Sequence, residues 1–362
     1  MWVLFLYLSV QAAFGAVHTH KKKRCTCGKG DVKDFRGVKD FKMEPSKYAV
    51  TPTPHIRAPI TIGQIMMLVI LALLPALVLS VLFFGVMALT VILVTVASCV
   101  AFEALYQKIT KQAVTIKDYS AVVTGLLLAF NLPPTVPLWL PVVGSFVAIV
   151  MAKQLFGGLG QNFINPALAG RAFLMAAYMP YMAGGFVEPG FFNDIDVITT
   201  ATPLAGGSWD YLTLIIGTHG GTIGETSAIA LLIGGLFLIL KKIITWHVPF
   251  TFIGTVFILT FILEPMSSGT MVFSWHYPLF HVLAGGLMLG AFFMATDYSS
   301  SPITPLGKII MGVGCGIITV MIRLFGGYPE GVSYAILIMN CCVPLIDKFT
   351  RPRIFGTKKA GS

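Results

Sequence analysis

The sequence predicts an all-α polytopic integral membrane protein, and three observations carry that prediction. Of its 362 residues, 56% are hydrophobic and only 11% charged, a balance outside the range of soluble domains. The apolar residues fall in runs long enough to cross a hydrocarbon core, which takes about 20 helical residues. The formal charge of +10 comes from Lys and Arg residues clustered between those runs. That placement sets topology and excludes nucleic acid as the expected partner, because no single polar face collects the charge.

Residues 1–17 are apolar and uncharged, and a basic run follows at 18–24. The order is the reverse of a secretory signal, which carries its charge before its apolar core. Two readings of 1–42 stay open: an extra amino-terminal anchor, or a misassigned start with Met43 as the working initiator. The whole of 1–60 reads as a basic cytoplasmic tail. Cys25 and Cys27 in that tail have only His18 and His20 nearby, which is a poor match to a four-ligand zinc or iron-sulfur site, so no metal is expected. Cys99, Cys315, Cys341 and Cys342 lie in apolar runs and read as small buried hydrophobes.

Ten apolar segments follow in a membrane domain over 61–347, at 62–84, 86–105, 119–132, 136–156, 165–182, 226–240, 248–263, 278–296, 306–325 and 332–346. The third is short, as in a re-entrant or broken helix, which is tolerated at membrane depth only under cover of protein or a water-filled cavity. With the first tail inside, alternation puts Lys108, Lys111, Lys117, Lys241, Lys242, Lys308 and the basic tail 348–362 on the cytoplasmic side, with Lys153 and Arg171 near it. Both termini are then cytoplasmic, and Arg323 is the exception. The loop over 183–225 falls outside, with acidic residues and no Lys or Arg. Asp118-Tyr119-Ser120 recurs as Asp297-Tyr298-Ser299, and LFGG recurs at Leu155 and Leu324. These strings suggest two five-helix inverted repeats.

The chemistry concentrates in 151–204. Gly157 and Gly158 let backbone approach a flat ligand, Asn162 and Asn165 offer amide donors and acceptors, and Arg171 adds a cation. Asp196, Thr199, Thr200 and Thr202 then crowd ahead of Pro203. Tight turns, close helix packing and a simple cap would account for the same residues without a ligand. A phosphate in the outer loop would find no cationic side chain there, so backbone donors, a helix N-terminus or a covalent bond would have to hold it. Glu103, Asp297 and Asp347 lie at or near span ends. A carboxylate at such depth costs several kcal/mol unless paired or hydrated, so the three are candidate ion-path groups or interfacial helix-end charges. No nucleophile, acid and base constellation is present, so no catalytic residue is assigned. Ten spans with a short third helix also suit a non-redox channel or solute carrier.

Five strings carry a family resemblance: AKQLFGGLGQNFINPALAGRAFL at 152–174, the DxxTxATPL pattern ending at Leu204, MATD at 294–297, and GGYPEG with MNCCVPLID near the C-terminus. Together they resemble the flavin-carrying membrane subunits of respiratory ion pumps: the D subunit of the Rnf complex, and the related B subunit of sodium-pumping NADH:quinone oxidoreductase. The resemblance implies FMN joined through its phosphate to Thr202, although Thr200 stands where the family often has glycine, which leaves Thr200 and Thr199 as rivals. It implies a second, noncovalent flavin, riboflavin, near Asn162 and Asn165, and it raises Asp347 as a handler of the coupling ion, Na+ or H+. It further implies electron transfer between ferredoxin and NAD in the bacterial inner membrane. The partners would be membrane iron-sulfur subunits, an outer FMN subunit, a soluble NAD-linked subunit and lipid. A chain beginning at Met43 favours the Rnf member over the quinone-linked one.

Overall fold

The computed structural model describes residues 60–187, 189–190, 202–205, 211–225, 227–267, 274–326 and 330–352. The tail over 1–59, with Cys25 and Cys27, the residues Asp196, Thr199 and Thr200, and the end of the C-terminal tail lie outside the described residues. What is described is helical, with no strand among those residues. Large apolar side chains such as Val86, Leu93 and Leu240 face outward, while Glu103, Lys153, Arg171 and Asn340 are buried. That is the distribution of a protein solvated by lipid.

The first helix, α1 (Ile62–Ile109), opens on a capping box in which Thr61 and Gln64 satisfy each other's backbone donors. Its 48 residues would make a straight rod of about 72 Å, more than twice the hydrocarbon core. Gly85 prevents this: it sits at φ 63, ψ −146 and breaks the helix. A Cβ placed on Gly63 would lie 3.4 Å from the Lys117 carbonyl. From the other end, the Gln107 side chain donates to the Thr115 hydroxyl at 2.8 Å. Both ends of α1 therefore reach the same short connection, and the helix is a hairpin folded at Gly85, with arms over 62–84 and 86–109.

The expected short third segment is α2 (Ser120–Phe130). Next come α3 (Trp139–Phe146), which runs on into a π-helical turn at Val147–Met151, and α4 (Pro166–Ala177), capped by Asn165 with Pro166 at its first position. In the second half stand α5 (Ala228–Leu240), α6 (His247–Ser267) and α7 (His276–Leu283). They are followed by α8 (Leu287–Met294), α9 (Pro305–Phe325) and α10 (Val332–Thr350).

One expected continuous span, 278–296, is broken: α7 and α8 meet at 64°. Gly285 and Gly286, at φ 74 and 63, make the break. The residues of α8 over Gly290–Met294 again form a π-helical turn. Among the described residues, four helices are long and apolar enough to cross a membrane, the α1 hairpin among them, and the bent α7–α8 pair makes a fifth. Segments 119–132, 165–182, 226–240 and 248–263 appear as shorter apolar helices.

Close packing depends on glycine where two backbones nearly touch. On α9, a Cβ at Gly312 would lie 1.9 Å from the Thr251 hydroxyl, and one at Gly316 would lie 2.6 Å from Thr255 Cβ, both on α6. This is the small-residue seam that membrane helices use when lipid removes any hydrophobic drive between them.

Candidate functional site

Two polar regions are built into the apolar bundle. The first surrounds a small, partly open cavity of about 80 Å3. Its walls are apolar, from Val69 on α1, Leu127 on α2 and Phe292 and Phe293 on α8, and its polar lining includes Ser120, Lys153, Asn162, Asn165 and Asp297. Asn165 Oδ1 caps α4 by accepting from the N–H groups of Ala167 and Leu168 at 3.0 and 3.3 Å, while its Nδ2 donates to the Met294 carbonyl at 3.1 Å. The Asn340 amide, oriented so that its oxygen accepts from Asn165 N–H at 3.1 Å, donates to the carbonyls of Ser300 and Ile336. Asn165 thus ties α4 to the end of the α8 π turn and to α10.

Asn162 donates to the Ile164 carbonyl at 3.0 Å and stands 3.5 Å from Asp297 Oδ2. That carboxylate also accepts from the hydroxyls of Ser299 and Ser300 at 2.9 and 3.1 Å. Gly157 and Gly158 have φ of 112 and 90 and turn the chain after Gln154–Phe156. Leu159 and Asn162 line the cavity, and the two glycines are not part of its lining.

Beside the cavity lies an enclosed ion pair. Lys153 and Glu103 are each 1% exposed. Lys153 Nζ donates to both Glu103 oxygens, at 3.0 and 2.8 Å, and to the Ser120 hydroxyl at 2.7 Å. Gln154 donates to Glu103 at 3.0 Å. Lys153 is therefore the buried counterion of Glu103, and the topology charge expected of it is not what it supplies. Asp118 accepts from the N–H and hydroxyl of Ser120, which holds Ser120 under the ammonium.

Asp347 has a different task. Its Oδ1 accepts from Ile303 N–H at 3.1 Å, and one turn further on the Thr350 hydroxyl bonds Thr304, the cap of α9. Asp347 thus fastens the connection ahead of α9 to α10. Asp347→Ala is expected to cost about 1 kcal/mol of stability by thermal denaturation, the usual worth of one such bond.

The second region is built on Arg171, midway along α4. Arg171 is not near the cavity's asparagines: its guanidinium donates to Asn131 at the end of α2 and pairs with Glu330 ahead of α10. Arg323, the exception to the charge pattern, is half-buried and donates to the carbonyls of His281, Ala284 and Gly285, which caps the broken end of α7. Glu225 accepts from the Thr222 hydroxyl at 3.0 Å. Thr202 sits here in a short turn, 5% exposed, and its hydroxyl has no hydrogen-bond partner among the described residues. Two residues on, Leu204 Cδ1 and Arg323 Nη2 lie 2.2 and 2.5 Å from the place a Cβ on Gly285 would occupy. A cation that the sequence over 183–225 lacks is thus brought beside Leu204 by α9.

Sequence reading missed Glu225, Glu330, Arg323 and Lys153 as members of these clusters. Arg323 carried the one available signal, since a charge that breaks the topology pattern needs a buried partner.

Comparison with known proteins decides the family. A model described as the NQR2, RnfD, RnfE family matches residues 49–356. The chain belongs to that family. Among its relatives, the D subunit of the Na+-translocating ferredoxin:NAD+ oxidoreductase complex of Acetobacterium woodii is 50% identical over 326 residues, covering 88% of this chain and 98% of that one. The D subunit of the proton-translocating ferredoxin:NAD+ oxidoreductase complex of Clostridium ljungdahlii is 45% identical over 335 residues, covering 88% and 99%. In Escherichia coli, the D subunit of an ion-translocating oxidoreductase complex is 35% identical over 353 residues, covering 86% and 99%. Within the family segment lie the cavity, the Glu103–Lys153 pair and the Arg171–Glu330 cluster alike.

Proposed function

We propose that the chain is the membrane electron-transfer subunit of an ion-translocating ferredoxin:NAD oxidoreductase, with FMN joined through its phosphate to Thr202 and riboflavin in the cavity beside Asn162 and Asn165. The observation that carries the flavin assignment is the Thr202 hydroxyl. A buried hydroxyl without a partner costs about 1–3 kcal/mol, and esterification removes the unsatisfied donor. Arg323 beside Leu204 offers the positive charge that a phosphodiester anion needs. Asn162, Asp297 and the rings of Phe292 and Phe293 suit a flat heteroaromatic body with polar edges. Bound flavin would supply one- and two-electron chemistry that no side chain here offers. The residues position it, keep water away and fix the local field.

The remaining parts of the reading follow from membership and from the same geometry. Iron-sulfur subunits in the membrane, an outer FMN subunit and a soluble NAD-linked subunit would be the partners, in the bacterial inner membrane with both termini cytoplasmic. The coupling ion, Na+ or H+, would be handled near Glu103 and Asp297, which flank the cavity. The full fold would be ten spans in two inverted repeats. Its register is best set by the two π turns, since each ends a helical segment and each precedes a helix with Pro at its first position. The Asp-Tyr-Ser strings precede α2 but follow α8, so they do not occupy equivalent places in that register.

In-gel flavin fluorescence after denaturation tests the assignment, with wild type and Thr202→Ala each expressed beside an active flavin transferase. Wild type is expected to fluoresce and Thr202→Ala to be dark. A dark wild-type band would overturn the covalent assignment, and a fluorescent variant would move it to Thr199 or Thr200.

A further inference from the structure

We propose that Glu225 and Glu330 form a proton-binding site, holding one proton between their carboxyl groups under Arg171 and Arg323. This inference stands on the described side chains and does not require flavin at Thr202.

Both acids are at least nine-tenths buried, at 6% and 8% exposure, and they stand close enough for the Glu225 carboxylate to act directly on Glu330. One oxygen of each has a donor: Glu225 Oε2 accepts from Thr222, and Glu330 Oε2 pairs with Arg171. The other oxygen of each, Oε1 in both, is buried without a donor among the described residues. Two buried carboxylates that act on one another repel strongly where water cannot screen them. A single proton converts one of them into a donor and satisfies both, as in other carboxyl pairs that share a site.

The neighbours do not offer another solution. Arg323 spends its two terminal nitrogens on the carbonyls of His281, Ala284 and Gly285, and its Nε has no partner among the described residues. It stabilises the cluster by charge at a distance. Arg171 reaches Glu330 but divides its donors with Asn131. Among the described residues Thr222 donates to the pair, and His281, whose carbonyl accepts from Arg323, is buried on α7. A Cβ on Gly286 would stand 3.0 Å from Glu225 Oε1, so bare glycine backbone covers that oxygen.

Burial, then the Glu225 charge, push Glu330 up to about 7 against the opposing pull of Arg171 and Arg323. The sign follows from linkage. A carboxyl whose folded value exceeds its unfolded one adds stability that is complete below the unfolded value and is lost as pH rises through about 7. With the proton bound, the two acids and two arginines carry one net positive charge beside Leu204. Without it they are neutral. The site therefore exchanges a proton for a change in field at the segment that bears Thr202.

The test is infrared spectroscopy of the complete complex in detergent, titrated between about pH 5 and 9, a range that brackets ordinary and raised carboxyl values. Wild type is expected to show a protonated-carboxyl C=O band that disappears on titration and is absent from Glu225→Gln and Glu330→Gln. Either glutamine supplies the missing donor permanently, so both variants are expected to assemble. A titrating band that survives in both variants, or no titrating band in wild type, would overturn the proposal. Thermal midpoints give a second readout: the wild-type midpoint should fall across the same titration more steeply than that of Glu225→Gln. Identical pH profiles would mean that the pair binds no proton.

Discussion

Lys153→Met is expected to destabilise the subunit by about 3–5 kcal/mol, the cost of stranding one member of a buried ion pair. Glu103 is 1% exposed and keeps two of its contacts through Lys153 Nζ. Without the ammonium, only Gln154 and the more distant Gln107 amide, at 3.0 and 3.4 Å, remain to solvate the carboxylate. Ser120 loses its place as well, because Lys153 and Asp118 hold its hydroxyl together. The measurement is thermal unfolding of the purified complex, with Glu103→Leu/Lys153→Met made alongside. The double variant should recover most of the loss, since a buried pair replaced by apolar groups is often neutral. Equal damage in single and double variants would assign the effect to packing and remove the charge argument. Ion transport separates structure from function here: if Glu103 handles the coupling ion, the double variant folds yet transports nothing.

The sequence made some of this legible because single residues carry strong backbone signals. Gly85 between two apolar runs, Asn165-Pro166 and Thr304-Pro305 ahead of helices, and the shortness of the α2 segment each translate directly into a turn, a cap or a broken span. Gly285 and Gly286 carry the same kind of signal within an expected continuous span. There the surrounding hydrophobicity hides it, because an apolar window averages over a break. Charge is more ambiguous. Lys and Arg near span ends read as topology markers, yet Lys153 and Arg171 are buried and Arg323 is half-buried, each the partner of acids or carbonyls far away in sequence. Nothing local distinguishes an interfacial lysine from a buried one. The distinction is made by Glu103, fifty positions upstream. Likewise Glu225 and Glu330 belong to separate connections that only the tertiary fold brings together. The asparagines are recognisable as special from their glycine-rich setting. Asn165's use as a clamp between α4, α8 and α10 depends on backbone atoms that no motif names.

Gly234→Ala is the second large effect expected, at about 3 kcal/mol or more. A methyl at Gly234 would stand 2.1 Å from the carbonyl oxygen of Ala72 and 3.1 Å from the Phe293 ring. Overpacking ordinarily costs about 1–3 kcal/mol because side chains can shift. Here the main obstacle is the backbone of the first α1 arm, which moves only if α1 and α5 separate. A Cβ on Gly235 of the same helix would meet Phe292 at 2.4 Å, so α5 cannot roll away from one contact without tightening another. A second glycine provides the control. Gly254 on α6 has nothing within 4 Å of its Cβ position, and Gly254→Ala is expected to stabilise by up to about 1 kcal/mol through helix propensity alone. Thermal midpoints of the two variants should therefore move in opposite directions. Phe292 and Phe293 also wall the cavity beside Asn162 and Asp297. Under the flavin reading, Gly234→Ala should consequently release noncovalent flavin while leaving the covalent fluorescence at Thr202 in place. Loss of both signals together would mean that the substitution unfolds the bundle, whereas loss of the noncovalent one alone would tie the cavity's shape to the α1–α5 seam.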